Sequence, residues 1–228
     1  LLLAFVASAV SVFAQNHHRY HVRQNASGAN DGANWQDAFT DLHAALNISQ
    51  PGDTIWVAAG TYVTSPTGDR SVSFQLKSGV RIYGGFSGTE TALSERDWVA
   101  HPTILSGAIG GIYHVDDARH IMFVVNPDSN TTVDGLVFKN GFSDSNNSLQ
   151  GGAALFVLAE DSIFWKSEMR IRNCRFDINR TTKAGGAVRV SCYDADFTLF
   201  ENCIFNYNDA EAGGAAAINA YQIFTQFI

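Results

Sequence analysis

Two consecutive stretches of the chain carry the same residue pattern, and this repeat limits the possible folds more than any other feature. Residues 171–179 read IRNCRFDIN and residues 200–208 read FENCIFNYN, at a constant offset of 29 residues. The matched pairs are Ile171 with Phe200, Asn173 with Asn202, Cys174 with Cys203, Phe176 with Phe205, and Asn179 with Asn208. A Gly-Gly-Ala block follows each copy, at Gly185 and at Gly213.

The alternation of residue types inside each copy predicts two short strands that meet at a corner. Side chains of a strand alternate between its two faces. The additional Asn or Gly between two inward-facing runs must therefore form a bend, and both residues tolerate the left-handed backbone that a bend requires. Three strands and three corners fit into one such repeat, as in a β-solenoid. Leucine-rich repeats share this period but carry a Leu-x-x-Leu-x-Leu frame that is absent here, and helical repeats need an apolar period of 3.6 residues. We therefore predict an all-β, parallel β-helix fold.

Two looser copies of the pattern lie earlier in the chain. Residues 133–141, VDGLVFKNG, place Gly135 at the corner and Phe138 in the aromatic position, and a third glycine pair follows them. Residues 76–85, LKSGVRIYGG, fit the same frame with Gly79 at the corner. The solenoid is therefore expected to extend upstream of the two best copies.

Equivalent residues of successive coils stack on one another in a solenoid, so the repeat also predicts columns of side chains. The predicted columns are an aromatic stack of Phe138, Phe176 and Phe205, a thiol pair of Cys174 and Cys203, and a side-chain ladder of Asn173 and Asn202 at the corner. We expect the two thiols to be buried and unbonded. In-register neighbours point their Cβ atoms in parallel directions, which gives poor disulfide geometry.

The N-terminal part of the chain contains two segments of different character. Residues 1–14 are an uncharged apolar run that ends in small residues, which predicts a secretory signal peptide. Residues 34–47 have apolar residues at helical spacing behind Asn34, which predicts a helix that caps the open end of the solenoid. We expect residues 15–228 to form one β-helix domain with tandem coils over residues 130–228. We also expect the sequence to be a fragment that is truncated at its C-terminus.

The repeat motifs carry a resemblance to known proteins. The alternation of Phe-x-x-Asn (FDIN, FNYN) with Gly-Gly-Ala resembles the repeat of the chlamydial polymorphic outer-membrane proteins and of related right-handed parallel β-helix surface proteins. The segments GANDGANWQDAFTDLHAAL, GDTIWVAAGTY and SGVRIYGGFSGTE are similar to the beginning of secreted bacterial β-helix proteins of the pectin-lyase-like class. Together they cover residue 30 to the end of the sequence. The resemblance implies a right-handed parallel β-helix with an N-terminal capping α-helix and an exported location, but it implies no single activity.

Composition narrows the classes of partner. The chain has 15 basic and 22 acidic residues and a formal net charge of −7, which disfavours nucleic acid and anionic membranes as partners. The apolar run at the N-terminus is shorter than the roughly 20 residues that a membrane-spanning helix needs, so we expect no membrane span in the mature chain. The three cysteines lack the Cys-x-x-Cys spacing of zinc sites. We therefore expect no metal and no cofactor.

Residues 114–120, HVDDARH, contain the densest group of candidate catalytic side chains, Asp116, Asp117, Arg119 and His120. A polysaccharide lyase would need an acidic cluster for calcium and a basic residue, and a glycoside hydrolase would need two carboxylates in one groove. On a strand, Asp116 and Asp117 would face opposite sides. We therefore interpret the segment as a solvated turn and its residues as weak candidates.

Three further groups of residues are candidates for a site. Glu95, Arg96 and Asp97 are interpreted as a salt bridge in a surface loop, and Asp194 and Asp196 as the ordinary polarity of an outward strand face. Trp165 and Tyr193 could stack on sugar rings, but we interpret them as packing residues of the coils.

The expected function is that of an exported cell-surface or secreted binding and adhesion module, with a carbohydrate or a protein as its ligand. One alternative is a polysaccharide lyase or glycoside hydrolase of the pectin-lyase-like class. That enzyme would need three or more convergent carboxylates, or a carboxylate–arginine cluster, on one outward face. A second alternative is a structural spacer within a larger surface protein.

Overall fold

Successive turns of the chain stack parallel strands on one another. The computed structural model describes residues 17–111, 115–144, 151–160, 168–192, 195–196, 198–219, 222–223 and 225–228, so the predicted signal peptide lies outside the described residues. The described elements, in chain order, are β1 (Arg19–Val22), α1 (Leu42–Ile48), β2 (Thr54–Ala58), β3 (Gly60–Val63), β4 (Phe74–Leu76), β5 (Arg81–Phe86), a 3-10 turn (Leu93–Glu95), β6 (Thr103–Ser106), β7 (Met122–Val125), β8 (Thr132–Asp134), β9 (Leu136–Lys139), β10 (Phe142–Ser143), β11 (Leu155–Ala159), β12 (Arg170–Arg172), β13 (Arg175–Asp177), β14 (Arg180–Thr181), β15 (Val188–Cys192), β16 (Ala195–Asp196), β17 (Leu199–Glu201), β18 (Ile204–Asn206), β19 (Ala216–Asn219), β20 (Gln222–Ile223) and β21 (Gln226–Phe227).

The strands form three main sheets in which neighbours come from successive turns. Sheet A has the order β1-β2-β5-β8-β12-β17-β21, sheet B β3-β6-β9-β13-β18, and sheet C β4-β7-β11-β15-β19. Each pairing is parallel, including those of the short pairs β10–β14 and β16–β20. The chain thus runs through sheets A, B and C and returns to sheet A one strand further along. The predicted all-β, parallel β-helix fold is confirmed.

The core is a set of apolar columns inside the coils. Strand alternation directs every second side chain inward, and the inward residues of one sheet stack in register. The column of sheet A contains Ile55, Ile82, Val133, Ile171 and Phe200, and that of sheet B contains Tyr62, Leu105, Phe138, Phe176 and Phe205. Burial of one such side chain contributes about 1.5–3 kcal/mol, so the columns supply much of the driving force for folding.

In the coils from β8 onward, two of the three corners are bends of a single residue in the left-handed region. Between sheets A and B the bend residues are Gly135, Asn173 and Asn202, with φ of 73°, 51° and 52°. After sheet B they are Asn140, Ile178 and Tyr207, with φ of 62°, 56° and 52°. The first set agrees with the predicted use of Asn and Gly. The second set contains a β-branched residue and an aromatic residue, which pay a steric penalty in this conformation.

The glycine blocks form the corner before sheet C, with one difference from the sequence alignment. Gly185 and Gly213 are equivalent and have φ of 74° and 62°. Because Leu155 pairs with Val188, their counterpart is Gly152 and not Gly151. The first Gly-Gly-Ala block is therefore displaced by one residue relative to the others. Each of these glycines lies where an added Cβ would clash with a backbone oxygen of its own coil.

The predicted corner position of Gly79 is wrong. Gly79 precedes β5 and donates its N–H to the Thr131 hydroxyl at 2.9 Å, so it lies at the entry to sheet A. The residue that occupies the place of Gly135 is Gly84, where an added Cβ would come within 2.5 Å of the Gly135 oxygen. A glycine followed by alternating apolar residues occurs at more than one corner of a coil, so this pattern alone does not identify the corner.

The N-terminal end of the solenoid is covered by α1 and the segment before it. The helix packs against β4, β1 and β2 and buries Leu42, Ala45 and Leu46. Phe39 pairs with Val22 and continues the cover over sheet A. Within the described residues α1 has seven residues, and no helix is long and apolar enough to cross a membrane.

The start of the helix differs from the prediction. We predicted a helix over residues 34–47, but it begins at Leu42 behind Asp41, whose carboxylate accepts the N–H of His43 at 3.0 Å. The Asn34 side chain instead accepts the N–H groups of Gln36 and Asp37 at 2.8 and 3.0 Å. Asn favours such local turns, which compete with a helix.

Candidate functional site

The four candidate catalytic residues lie in an irregular connection between β6 and β7, not on a strand. Asp116 accepts the N–H of Gly111 at 2.6 Å, and Asp117 is 1% exposed. His120 donates to the carbonyl of Gly152 at 3.1 Å. The premise that strand alternation separates Asp116 and Asp117 is wrong, although the two carboxylates do lie in different environments.

Arg119 belongs to a different cluster, which ties neighbouring coils together. Its Nε lies 3.6 Å from Asp144, and Arg70 donates to both oxygens of Asp144 at 3.0 Å. Burial acts to raise the pKa of Asp144, but the hydrogen bond and charge of Arg70 hold it below its ordinary value. Arg70 also donates to the carbonyls of Asp117 and Phe142. The described hydrogen bonds and ion pairs thus give Asp116, Arg119 and His120 different partners.

The residues of the expected aromatic stack lie in adjacent strands of sheet B. The ring centroids of Phe138 and Phe176 are 5.0 Å apart and those of Phe176 and Phe205 4.8 Å apart, with interplanar angles of 7° and 9°. The first two rings are fully buried, while Phe205 is half-buried. Stacking of rings in this offset geometry adds to the energy of area burial.

Cys174 and Cys203 are adjacent free thiols. Cys174 donates to the carbonyl of Arg172 at 3.0 Å, and Cys203 contacts the carbonyl of Ile171 at 3.4 Å. Burial raises the pKa of the Cys174 thiol well above its ordinary value. The thiol therefore remains protonated and packs as a small apolar side chain.

Asn173 and Asn202 form part of a longer polar ladder along the corner between sheets A and B. Asn202 donates from Nδ2 to Asn173 Oδ1 at 2.8 Å, and Asn173 donates to Asp134 Oδ1 at 2.8 Å. Arg96 ends the ladder with an ion pair to the same Asp134 oxygen at 2.8 Å. Both side chains of this ion pair are less than a tenth exposed. A buried pair of this kind is maintained only where hydrogen bonds satisfy the remaining donors and acceptors.

The interpretation of Arg96 as part of a surface salt bridge is therefore wrong. Glu95 and Asp97 on either side of it cap local backbone N–H groups. Arg96 itself turns toward the coils and packs over the rings of Tyr83 and Trp98, at 5.2 and 4.9 Å from their centroids. The arginine thus fixes the loop that carries Trp98 onto the corner.

Two concave surfaces lie on the two sides of this corner. On the sheet B side a groove of about 430 Å³ lies between the outward face of the strands and the loop of residues 98–102. We call it the corner groove, and its described lining includes Trp98, Val99, Ile104, Asn173, Arg175 and Ile204. Val99 is 82% and Ile204 53% exposed.

On the sheet A side lies a polar cavity of about 280 Å³, which we call the arginine pocket. Its lining contains Arg81, Tyr83, Ser129, Thr132, Arg170 and Arg172. The basic residues look scattered in the sequence, but the coil register brings three of them together here. Sequence reasoning missed this pocket, because the lengths of the intervening segments are needed to find the register.

Other predicted groups contribute less to these surfaces. Trp165, Tyr193 and Asp194 lie outside the described residues, as does the side chain of Asp196. Among the side chains that the structure describes, no three His, Cys, Asp or Glu residues are grouped so that they could hold a metal ion. The expectations about metals and cofactors stay predictions.

Comparisons with family models, curated proteins and solved structures gave no match to this chain.

Proposed function

We propose that the chain is an exported cell-surface or secreted binding module of the adhesin type, and that a carbohydrate chain is its ligand in the corner groove. The observation that carries this proposal is the exposure of apolar side chains next to hydrogen-bonding groups in one open groove. The resemblance to exported β-helix surface proteins supports the location.

The chemistry of the groove matches a carbohydrate. Sugar rings have apolar C–H faces and hydroxyl edges, so they bind where aromatic or aliphatic surface adjoins polar donors and acceptors. Trp98, Val99 and Ile204 offer the apolar surface, and Asn202 and Arg175 offer amide and guanidinium groups at the rim. The groove runs across several coils, which suits a polymer with a repeating unit.

The described lining supports binding more than hydrolysis. A glycoside hydrolase places two carboxyl groups on either side of the scissile bond. The described side chains that line the corner groove are apolar, amide, thiol and guanidinium groups. Of the residues that would serve the enzyme alternative, Asp116 accepts a backbone N–H of the connection after β6, and Arg119 lies beside Asp144.

The proposal is tested by affinity electrophoresis of the purified chain in gels that contain neutral or acidic polysaccharides. We expect at least one polysaccharide to retard the protein. Trp98→Ala and Ile204→Asp should each reduce retardation about tenfold, because each removes apolar contact. Val125→Asp is the matched control, because Val125 is an exposed apolar residue on sheet C, away from the corner. Thermal unfolding of each variant checks its fold.

Two outcomes would reject this function. Absence of retardation by every polysaccharide tested would be one. The other is retardation that Trp98→Ala and Ile204→Asp leave at the wild-type level while both variants remain folded.

A further inference from the structure

The arginine pocket has a geometry that points to its own ligand chemistry. Arg81, Thr132 and Arg170 are register partners on three consecutive strands of sheet A, and Tyr83, Asp134 and Arg172 are register partners two residues further on. Because Thr132 is short, it leaves a notch between two long arginine side chains whose strands are about 10 Å apart, two strand spacings. This notch is the floor of the pocket.

Two of the three arginines are not neutralised by a neighbouring carboxylate. Arg172 pairs with Glu201 at 2.5 Å, and Asp134 is occupied by Arg96. Within the part of the chain that the structure describes, neither Arg81 nor Arg170 has a carboxylate within ion-pair distance. The pocket thus concentrates positive charge on a chain whose net charge is −7.

Arg81, which lines the pocket, also has one donor without an acceptor. Nε of Arg81 is buried and has no hydrogen-bond partner in the structure. Buried N–H donors are nearly always satisfied by protein, by water or by a ligand. Tyr83 and Ser129 bring hydroxyl groups to the same cavity, and burial raises the pKa of Tyr83, so its hydroxyl stays protonated and can donate.

We propose that the arginine pocket binds a tetrahedral oxyanion, the sulfate ester group of a sulfated polysaccharide. The inference extends the proposed function, on which it rests for the carbohydrate part of the ligand. A planar carboxylate is satisfied by one guanidinium fork, whereas this pocket offers two guanidinium groups without a carboxylate partner among the described residues, together with hydroxyl donors around one cavity. A tetrahedral group presents acceptor oxygens in several directions, so it can accept hydrogen bonds from several of these donors at once. The pocket adjoins the corner groove through the consecutive residues Arg172 and Asn173, so one polymer can occupy both.

The test measures binding of the full chain to inorganic sulfate by calorimetry, with chloride at equal ionic strength as the reference. Affinity electrophoresis then compares dextran sulfate, uncharged dextran and polygalacturonate. We expect sulfate to bind, and dextran sulfate to retard the protein more than the other two polymers. Arg81→Gln and Arg170→Gln should each weaken both interactions at least tenfold. Arg170→Lys should weaken them too, because it keeps the charge but loses the planar fork.

Arg180→Gln is the matched control for charge. Arg180 is an exposed arginine of β14 that lies 3.8 Å from Asp209 and away from the corner. The control should change binding less than twofold. Equal losses in Arg180→Gln and Arg81→Gln would show nonspecific charge attraction and would overturn the inference. Stronger retardation by polygalacturonate than by dextran sulfate would also overturn it, in favour of a carboxylate.

The outcomes separate this inference from the proposed function. Polysaccharide binding that Trp98→Ala abolishes and Arg81→Gln leaves unchanged would retain the corner groove and reject the oxyanion pocket. Binding of inorganic sulfate that Arg81→Gln abolishes, without retardation by any polysaccharide, would retain an oxyanion pocket but reject both the carbohydrate-binding module and a sulfated polysaccharide as the ligand.

Discussion

The N-terminal coils (β2–β7, residues 54–125) and the repeat coils (β12–β19, residues 170–219) build the same three sheets but stabilise them differently. The repeat coils stack identical residues inside, such as Phe176 on Phe205. The N-terminal coils have mixed interior columns, in which Tyr62 lies beside Leu105. The shared backbone register therefore does not require repeated residues, but repeated residues make the coils regular.

The N-terminal coils lack columns of identical interior residues, and they gain additional packing on the outside of sheet A. Trp56 and Phe86 stack at 4.6 Å between ring centroids, and Trp35 lies 5.4 Å from Phe86. Trp56 and Phe86 lie on β2 and β5, and Trp35 comes from the segment before α1. The long connection between β5 and β6 carries Arg96 and Trp98 to the corner. The candidate site thus lies where loops of the N-terminal coils meet the regular outer face of the repeat coils.

The largest expected effect comes from the interior stack of the repeat coils. Phe176→Ala should lower the free energy of unfolding by about 3–5 kcal/mol, because it leaves a cavity between two rings in a fully buried column. Chemical denaturation followed by circular dichroism measures the change. Phe205→Ala is the matched control and should cost less, because Phe205 is half-buried. Equal losses would contradict the view that enclosure on both sides determines the cost.

A smaller effect is expected from the buried asparagine of the Phe-x-x-Asn motif. Asn179 is fully buried, donates to the carbonyl of Phe138 at 3.1 Å and accepts the N–H of Gly141 at 3.0 Å. Asn179→Ala leaves these backbone groups unsatisfied and should cost about 1–3 kcal/mol in the same denaturation experiment. Asn206→Ala removes a partly buried contact between an exposed side chain and Asp177 and should change the stability by less than about 0.5 kcal/mol, because Asp177 keeps its ion pair with Arg175. The prediction fails if the exposed variant costs as much as the buried one.

Relief of the backbone strain at the corner after sheet B should raise the free energy of unfolding. Ile178 is 42% exposed and has φ of 56°, where a β-branched residue pays a steric penalty. Ile178→Asn should raise the free energy of unfolding by about 1 kcal/mol, because Asn tolerates this conformation. The reverse exchange at the equivalent position, Asn140→Ile, should lower it by a similar amount. A stabilising Asn140→Ile would show that side-chain burial, not backbone strain, dominates at this corner.

The smallest effect concerns acid stability in the N-terminal coils. The carboxylate of Glu90 accepts the N–H groups of Ser87, Gly88 and Thr89. Burial acts to raise its pKa, but these hydrogen bonds lower it from 4.5 to about 2. A depressed pKa stabilises the folded state above the unfolded-state pKa, and this contribution is lost as the pH falls from 4.5 toward 2.

The corresponding measurement compares wild type and Glu90→Gln by denaturation across this pH range. The wild type should be more stable at pH 7, and the difference should shrink as the solution becomes acidic. A difference that does not change with pH would exclude the proposed role of the charge.

The strands and bends of the coils could be predicted because they depend on a short residue pattern that is repeated along the chain. The alternation around Asn173 and Asn202 identifies strands and a bend in each copy, and the offset of 29 residues then gives the register. The same reasoning failed for Gly79, where similar patterns at two corners are confused, and for the start of α1, where Asn34 prefers a turn. It also missed the second ladder, although Asn179 and Asn208 occur at the repeat offset.

The candidate site was beyond the reach of the sequence for a different reason. Arg81 and Arg170 line one pocket because of the lengths of the segments between successive strands of sheet A. These lengths differ from one another, and the repeat period does not give them. Likewise, nothing near Arg96 in the sequence indicates that its partner is Asp134. The sequence alone determined the strands, the bends and the interior columns, since these depend on neighbouring residues and on a regular repeat. The tertiary structure decided which outward side chains share a surface, because that depends on how irregular connections place distant coils side by side.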